Sequence, residues 1–206
     1  MRLYDISPRI TWRLKVWPGD TAPRREVLLD MRQGANINLT TLHATVHLGA
    51  HADAPSHYAI DGADIAARSL EYYLGPCQVV KVAVGKNERI GVAHLRTTIV
   101  ERRVLFITGT YPDSTEFNED FAAFEPALVD ALHAKGVILM GIDTPSVDLF
   151  TSKDLASHKR FLAHDMAILE GLALAQVPEG RYELIALPLA LEGFDASPVR
   201  AVLRSL

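Results

Sequence analysis

The chain has 206 residues, 49% of them hydrophobic and 22% charged, with a formal net charge of −4. This is the make-up of an ordinary globular domain with one core, which excludes disordered and fibrous classes. The acidic balance offers no general attraction for nucleic acid or anionic membrane, so neither is expected as a partner.

The pairs Arg24-Arg25 and Arg102-Arg103 read as solvated surface. Cys77 is the only cysteine, so an internal disulfide and a cysteine-based zinc site are ruled out; its place at the head of an apolar run suits a small buried hydrophobe. The first residues lack an apolar signal core, and no stretch approaches the roughly 20 apolar residues that span a bilayer. A cytoplasmic protein is expected.

Short β-like runs alternate with helical ones, which predicts a single mixed α/β domain over residues 1–206. Strands are expected at Glu26 to Arg32, Asn38 to His47, Cys77 to Val84, Val104 to Thr108, Val137 to Ile142, Tyr182 to Leu187 and Val199 to Leu203. A short helix is expected around Gly91 to Val100, and the polar, turn-rich stretch from Pro112 to Asp120 reads as a surface loop. Glu125 to Lys135 has helical spacing and stops at Gly136, while Phe161 to Leu174 carries a broader apolar stripe that predicts a second, longer helix.

The most informative segment runs from His47 to His57. It holds His47, His51, Asp53 and His57, types that zinc, manganese and iron(II) accept as ligands or that move protons. In one extended strand His47 and His51 would stand roughly 13 Å apart, too far to share an ion. A helix is blocked because Pro55 would clash with the carbonyl of His51. The chain must therefore bend, and Gly49 is free to do so: a strand should run into about residue 47 and a turn should fold His51 and Asp53 back toward His47. Pro55 restricts Ala54 to extended backbone. Ionisable groups crowded onto one irregular segment cost stability unless something pairs with them, which favours a metal or catalytic role.

Further ligands should lie elsewhere in the chain. Glu170 sits within an otherwise apolar stretch, where it either needs a partner or falls on the exposed face of a helix. Trp17, in Trp17-Pro18-Gly19-Asp20, reads as a core aromatic or as a platform for an aromatic substrate, and Asp143 to Ser146 as a site wall or a structural turn.

Val16 to Thr21, the His47 to His57 run, Tyr73 to Cys77, Gly141 to Ser146, His158 with Ile168 to Gly171, Glu183 to Leu189 and Asp195 to Arg200 together resemble the bacterial kynurenine formamidases, a branch of the cyclase-like metal hydrolases. The resemblance implies a single mixed-sheet domain of the swivelling β/β/α type, and homodimers. It implies one zinc on His47, His51 and Asp53, and a second on Asp53, His158 and Glu170, with Glu170 also reaching the first. It further implies proton transfer by His57, substrate contact by Trp17, and hydrolysis of N-formyl-L-kynurenine to L-kynurenine and formate. Alanine at position 50, where the wider family often has threonine, favours this branch over its isatin-hydrolysing relatives. A sister hydrolase acting on another amide and a non-catalytic metal-binding protein stand as the other readings. On one straight helix His158 and Glu170 would be about 18 Å apart, so His158 is expected before the long helix, in a turn or separate helical piece. His164 has no counterpart in the pattern and reads as a supporting or surface residue.

Overall fold

The computed structural model describes residues 1–206. In chain order its elements are β1 (Leu3–Asp5), β2 (Arg24–Leu29), β3 (Leu39–His43), β4 (His51–Asp53), β5 (Leu74–Lys81), β6 (Arg89–Ile90), β7 (Arg103–Ile107), β8 (Ala123–Phe124), α1 (Pro126–His133), β9 (Leu139–Ile142), α2 (Ala156–Ala163), β10 (Ala167–Glu170), β11 (Gly180–Ile185), β12 (Ala196–Pro198) and β13 (Val202–Ser205). Nine of the strands form one sheet in the order β1-β13-β11-β5-β7-β9-β10-β4-β12. Its centre, β5-β7-β9-β10, is parallel, and every pair outside it is antiparallel.

Parallel strands covered on both faces read as unbroken apolar runs, and β7 does so with Val104-Leu105-Phe106-Ile107. Alternate side chains then enter opposite cores. Val104 and Phe106 join Met140, Ile142 and Ile168 beneath Leu128 and Leu132 of α1 and Phe161 of α2. Leu105 and Ile107 join Leu139, Leu169, Tyr182 and Leu184 on the other side. No helix is long and apolar enough to cross a membrane.

Most expected elements are present with shifted ends, but three expectations are corrected. The expected helix from Phe161 to Leu174 does not exist: α2 ends at Ala163, Asp165 takes a left-handed φ of 48°, and residues 167–170 form β10 between β9 and β4. Sheet pairing on both sides outweighs the helical stripe, because Ala167-Ile168-Leu169 is as good a buried strand as it is a helix. The expected helix around Gly91 to Val100 shrinks to a single 3-10 turn, Val92–His94. Arg103 is buried, not solvated: its guanidinium donates to the carbonyls of Glu71 and Tyr72, where it holds the turn before β5.

β2 and β3 form a separate two-stranded sheet, with a bulge between Val27 and Leu29. Val27, Leu28, Leu29, Leu39 and Leu42 are exposed on it. The first expected strand is thus displaced to Arg24–Leu29, and the second stops at His43, short of His47.

Candidate metal centre

The bend expected at Gly49 is there, with a φ of 60°, and β4 follows it at once. Along β4 the alternation is clean. Ala50, Ala52 and Ala54 point into one core, so His51 and Asp53 share the opposite face. On the neighbouring strand β10, Glu170 lies directly opposite His51 and Ile168 opposite Asp53. Residues facing each other across a ladder share a face, so the carboxyl of Glu170 comes to the two β4 side chains through pairing alone. Gly171, at φ 64°, follows immediately, and a Cβ there would collide with the Gly49 carbonyl.

His158 stands in the first turn of α2, which packs on that same face. It therefore does occupy a separate helical piece, and the reversal at Asp165 brings Glu170 back beside it.

Five side chains converge. His47 Nδ1 lies 3.1 Å from Asp53 Oδ1; His51 Nε2 lies 3.4 Å from the same oxygen and 3.3 Å from Glu170 Oε2. His158 Nε2 lies 3.5 Å from Asp53 Oδ2 and 3.7 Å from Glu170 Oε1. Donors bonded at about 2.0–2.2 Å to a tetrahedral ion sit about 3.3–3.6 Å from one another, so these separations are close to the edges of a coordination polyhedron. Moreover, His51 Nε2 and both oxygens of Asp53 are buried with no hydrogen-bond partner. Each orphan costs about 1–3 kcal/mol, more for a charged group, unless a cation takes the place of the missing partner. Imidazole nitrogens and carboxylate oxygens in this arrangement fit a divalent ion.

The far nitrogen of each imidazole is held from outside the cluster, which fixes the ring and its tautomer. His51 Nδ1 donates to the Gly49 carbonyl at 2.9 Å, and His158 Nδ1 to Asp148 at 2.9 Å. His47 Nε2 donates to Asp195 at 3.0 Å. Asp148 also accepts from the backbone N–H groups of Ser157 and His158, so it caps α2 as well as orienting the His158 ring. Burial would lower the pKa of His47, but Asp53 and Asp195 raise it to about 9; burial acts likewise on His158, and Asp148 and Asp53 raise it to about 10. Burial would raise the carboxyl of Asp53, yet the imidazoles of His158 and His47 hold it well below the usual range. Protons and a cation thus compete for one place.

His57 lies in the 3-10 turn opened by Pro55, after an Ala54 in the extended conformation expected of it. Its Nδ1 donates to Asp195 Oδ2 at 3.1 Å, the same oxygen that accepts from His47. Asp195 is delivered by the strand ladder, since its carbonyl accepts from Ala54 N–H just before β12 begins. Burial would raise its carboxyl, but the two imidazoles keep it below the ordinary value. His57 Nδ1 is thus held by a carboxylate, and no hydrogen bond holds its Nε2.

Sequence reasoning missed Asp148 and Asp195 as supports. The one signal was that Asp195 stands in a quoted motif; nothing local marks Asp148.

A cavity of about 650 Å³ opens onto these groups, lined by His47, His51, His57, His158 and Glu170 and walled by Trp17 and Phe117. Trp17 is 37% exposed, with Phe150 and Phe117 at centroid distances of 5.0 and 5.7 Å, so it is a wall and not a core residue. Asp143, Pro145 and Ser146 form part of the lining; Asp143 is tied down by the N–H groups of Thr108 and Gly109. His164 instead pairs with Asp130 of α1 at 2.7 Å and stacks on His133 at 4.0 Å, apart from the cluster. Cys77 is fully buried.

The mixed α/β sheet with donors gathered at one end has counterparts among known proteins. The family model Cyclase, “Putative cyclase”, matches residues 4–149, and the chain belongs to that family. His47, His51, Asp53, His57 and Asp148 fall inside the matched residues, while His158, Glu170 and Asp195 lie beyond them.

Two solved structures are 28% identical in sequence. One, a potential metal-dependent hydrolase with cyclase activity, covers 98% of this chain and 96% of its own at a TM-score of 0.83. The other, a predicted metal-dependent hydrolase from Bacillus stearothermophilus, covers 98% and 97% at 0.81. Isatin hydrolase A from Ralstonia solanacearum, at 19% identity, covers 98% and 91% at a TM-score of 0.84 and shares the fold.

Proposed function

We propose that this chain is a metal-dependent amidase that hydrolyses N-formyl-L-kynurenine to L-kynurenine and formate. The observation that carries the hydrolytic reading is the buried set of orphaned donors on His51 and Asp53, opening onto a cavity that also holds His57. The two similar proteins described as metal-dependent hydrolases support it. The choice of substrate rests on the resemblance of the motifs, Ala50 among them, and on the aromatic wall at Trp17.

His47, His51 and Asp53 would hold one zinc ion, and Asp53, His158 and Glu170 a second, since each carboxylate offers separate oxygens to different imidazoles. Mn2+ would suit the same donors. When bound, such an ion supplies Lewis acidity and lowers the pKa of a water it holds to about 7.

The remaining chemistry falls to the protein's own residues. His57 Nε2 accepts a proton as the water oxygen bonds to the formyl carbon, and it returns that proton to the aryl nitrogen as the C–N bond breaks. Asp195 keeps the ring oriented and stabilises it while it carries the extra charge, and the Trp17 wall sets the aryl group beside it. Water adds across the amide bond, and the products are the aryl amine and formate.

The test is to strip the protein with a chelator, return zinc in steps, and follow L-kynurenine and formate, with isatin as a parallel substrate. Turnover of formylkynurenine that tracks zinc is expected. Isatin opening without kynurenine release would move the chain to a sister activity, and no hydrolysis at full zinc occupancy would leave a metal-binding protein.

We also propose a homodimer, joined by the β2–β3 hairpin docking on its own copy through the face that exposes Val27 and Leu42. An isolated two-stranded hairpin is marginal in water, and an apolar patch of this kind marks an interface. Light scattering should give twice the chain mass, and Leu42→Glu should halve it.

A further inference from the structure

Four charged groups outside the donor cluster line the cavity: Asp5, Lys15, Asp20 and Asp143. Two are already satisfied. Asp5 accepts from the Arg200 guanidinium at 2.9 and 2.6 Å, and Asp143 is held by Thr108 and Gly109. Lys15 is the only lysine or arginine in the lining, and it makes no ion pair; Asp20 accepts only the N–H of its neighbour Thr21 and has no cation.

Local geometry explains how both reach the same wall. Asp20 N–H donates to the Trp17 carbonyl at 3.0 Å, with Pro18 second and Gly19 third at a φ of 94°, which is a type II turn. The turn doubles the chain back so that Asp20 returns toward Trp17. Before it, the backbone from Leu14 to Val16 is not helical, and Lys15 N–H is pinned to the Ser114 carbonyl at 2.9 Å. One short segment thereby presents a cation, an aromatic ring and an anion to one cavity.

We infer that Lys15 and Asp20 form the subsite for a zwitterionic α-amino-acid tail on the aryl formamide, Lys15 taking the carboxylate and Asp20 the ammonium. This rests on the amidase reading above and gives the site its specificity. An aryl formamide with no tail uses only the aromatic wall and the metal centre. The tail adds two charge-assisted hydrogen bonds, each worth more than a neutral one but reduced by solvent at the cavity mouth.

The test compares N-formyl-L-kynurenine with formanilide, which has the same formamide and no tail. In Lys15→Met the ratio of kcat/KM values, formylkynurenine over formanilide, should fall about tenfold, through KM and not kcat, and Lys15→Arg should restore most of it. Asp20→Asn should lower the ratio by a smaller factor. Calorimetric titration with L-kynurenine, which needs no turnover, should show the same weakening in Lys15→Met. A ratio within twofold of wild type, with unchanged L-kynurenine binding, would overturn the subsite while leaving the amidase reading intact. A wild-type protein that hydrolyses neither formamide at full zinc would overturn the amidase reading, and the subsite with it.

Discussion

Two clusters of histidine and aspartate occupy this molecule, and they behave in opposite ways. At the α1–α2 surface, Asp130 receives Arg160 at 2.6 Å and His164 at 2.7 Å, so its pairing is complete and its side chain is 42% exposed. At the end of the sheet, Asp53 is 2% exposed and neither of its oxygens has a hydrogen-bond partner. Histidine and aspartate are common to both. What sets the second cluster apart is that burial removes water from Asp53 and leaves it facing only imidazoles, a place that protons on those rings or a cation can fill.

Removing Asp53 should have the largest effect. Asp53→Ala should lose bound metal by elemental analysis and lower activity by more than the roughly 10–100-fold typical of losing a supporting residue. His57→Ala should keep its metal but lose about 10²–10⁴ in kcat, the usual worth of a positioned acid–base group. Unchanged turnover would remove His57 from the reaction. Asp148→Asn should weaken metal binding about 10–100-fold, because the His158 ring would lose the acceptor that orients it. Asp130→Asn, the counterpart change at the surface cluster, should cost no more than about 1 kcal/mol in a denaturant melt and leave metal content unchanged.

A pH series sharpens the contrast further. With pKa values raised from 6.5 to about 9 and about 10, His47 and His158 stabilise the metal-free protein fully below pH 6.5, and that contribution is lost as pH rises through 9 to 10. Metal binding needs both rings neutral, so it should release protons at pH 7, and its affinity should climb with pH toward that window. The surface pair works the other way. Burial would raise the pKa of Asp130, but His164 and Arg160 lower it, so its small contribution is present above the ordinary carboxylate value and lost on acidification. Calorimetry in buffers of different ionisation enthalpy reads the first effect, and acid melts of Asp130→Asn read the second.

The cluster on the first segment was legible because its spacing is local: Gly49 and Pro55 force a bend wherever the chain goes next. The bend is as expected, but the alternation that puts His51 and Asp53 on one face comes from a strand that was not foreseen. Glu170 was legible as a costly buried carboxylate and misread as helical. Its neighbours satisfy both periods, and pairing with β4 and β9 decides the matter. Asp148 carries no local mark and Asp195 only its place in a quoted motif, since their roles arise from contacts with distant parts of the chain. The buried Arg103 shows the same limit from the other side, because its carbonyl partners lie some thirty residues upstream.

β12 is three residues long and forms one of the two edges of the sheet, with β4 as its sole neighbour. Asp195 leads directly into it, so the carboxylate that steadies His57 hangs on a short edge strand. Opening at such an edge takes less free energy than unfolding the whole domain. Catalytic competence should therefore fail on warming before the fold does, with amide exchange at Ala196 and Ser197 as the early sign. An engineered brace across β4 and β12 would then extend the working life of the enzyme without altering the chemistry it performs.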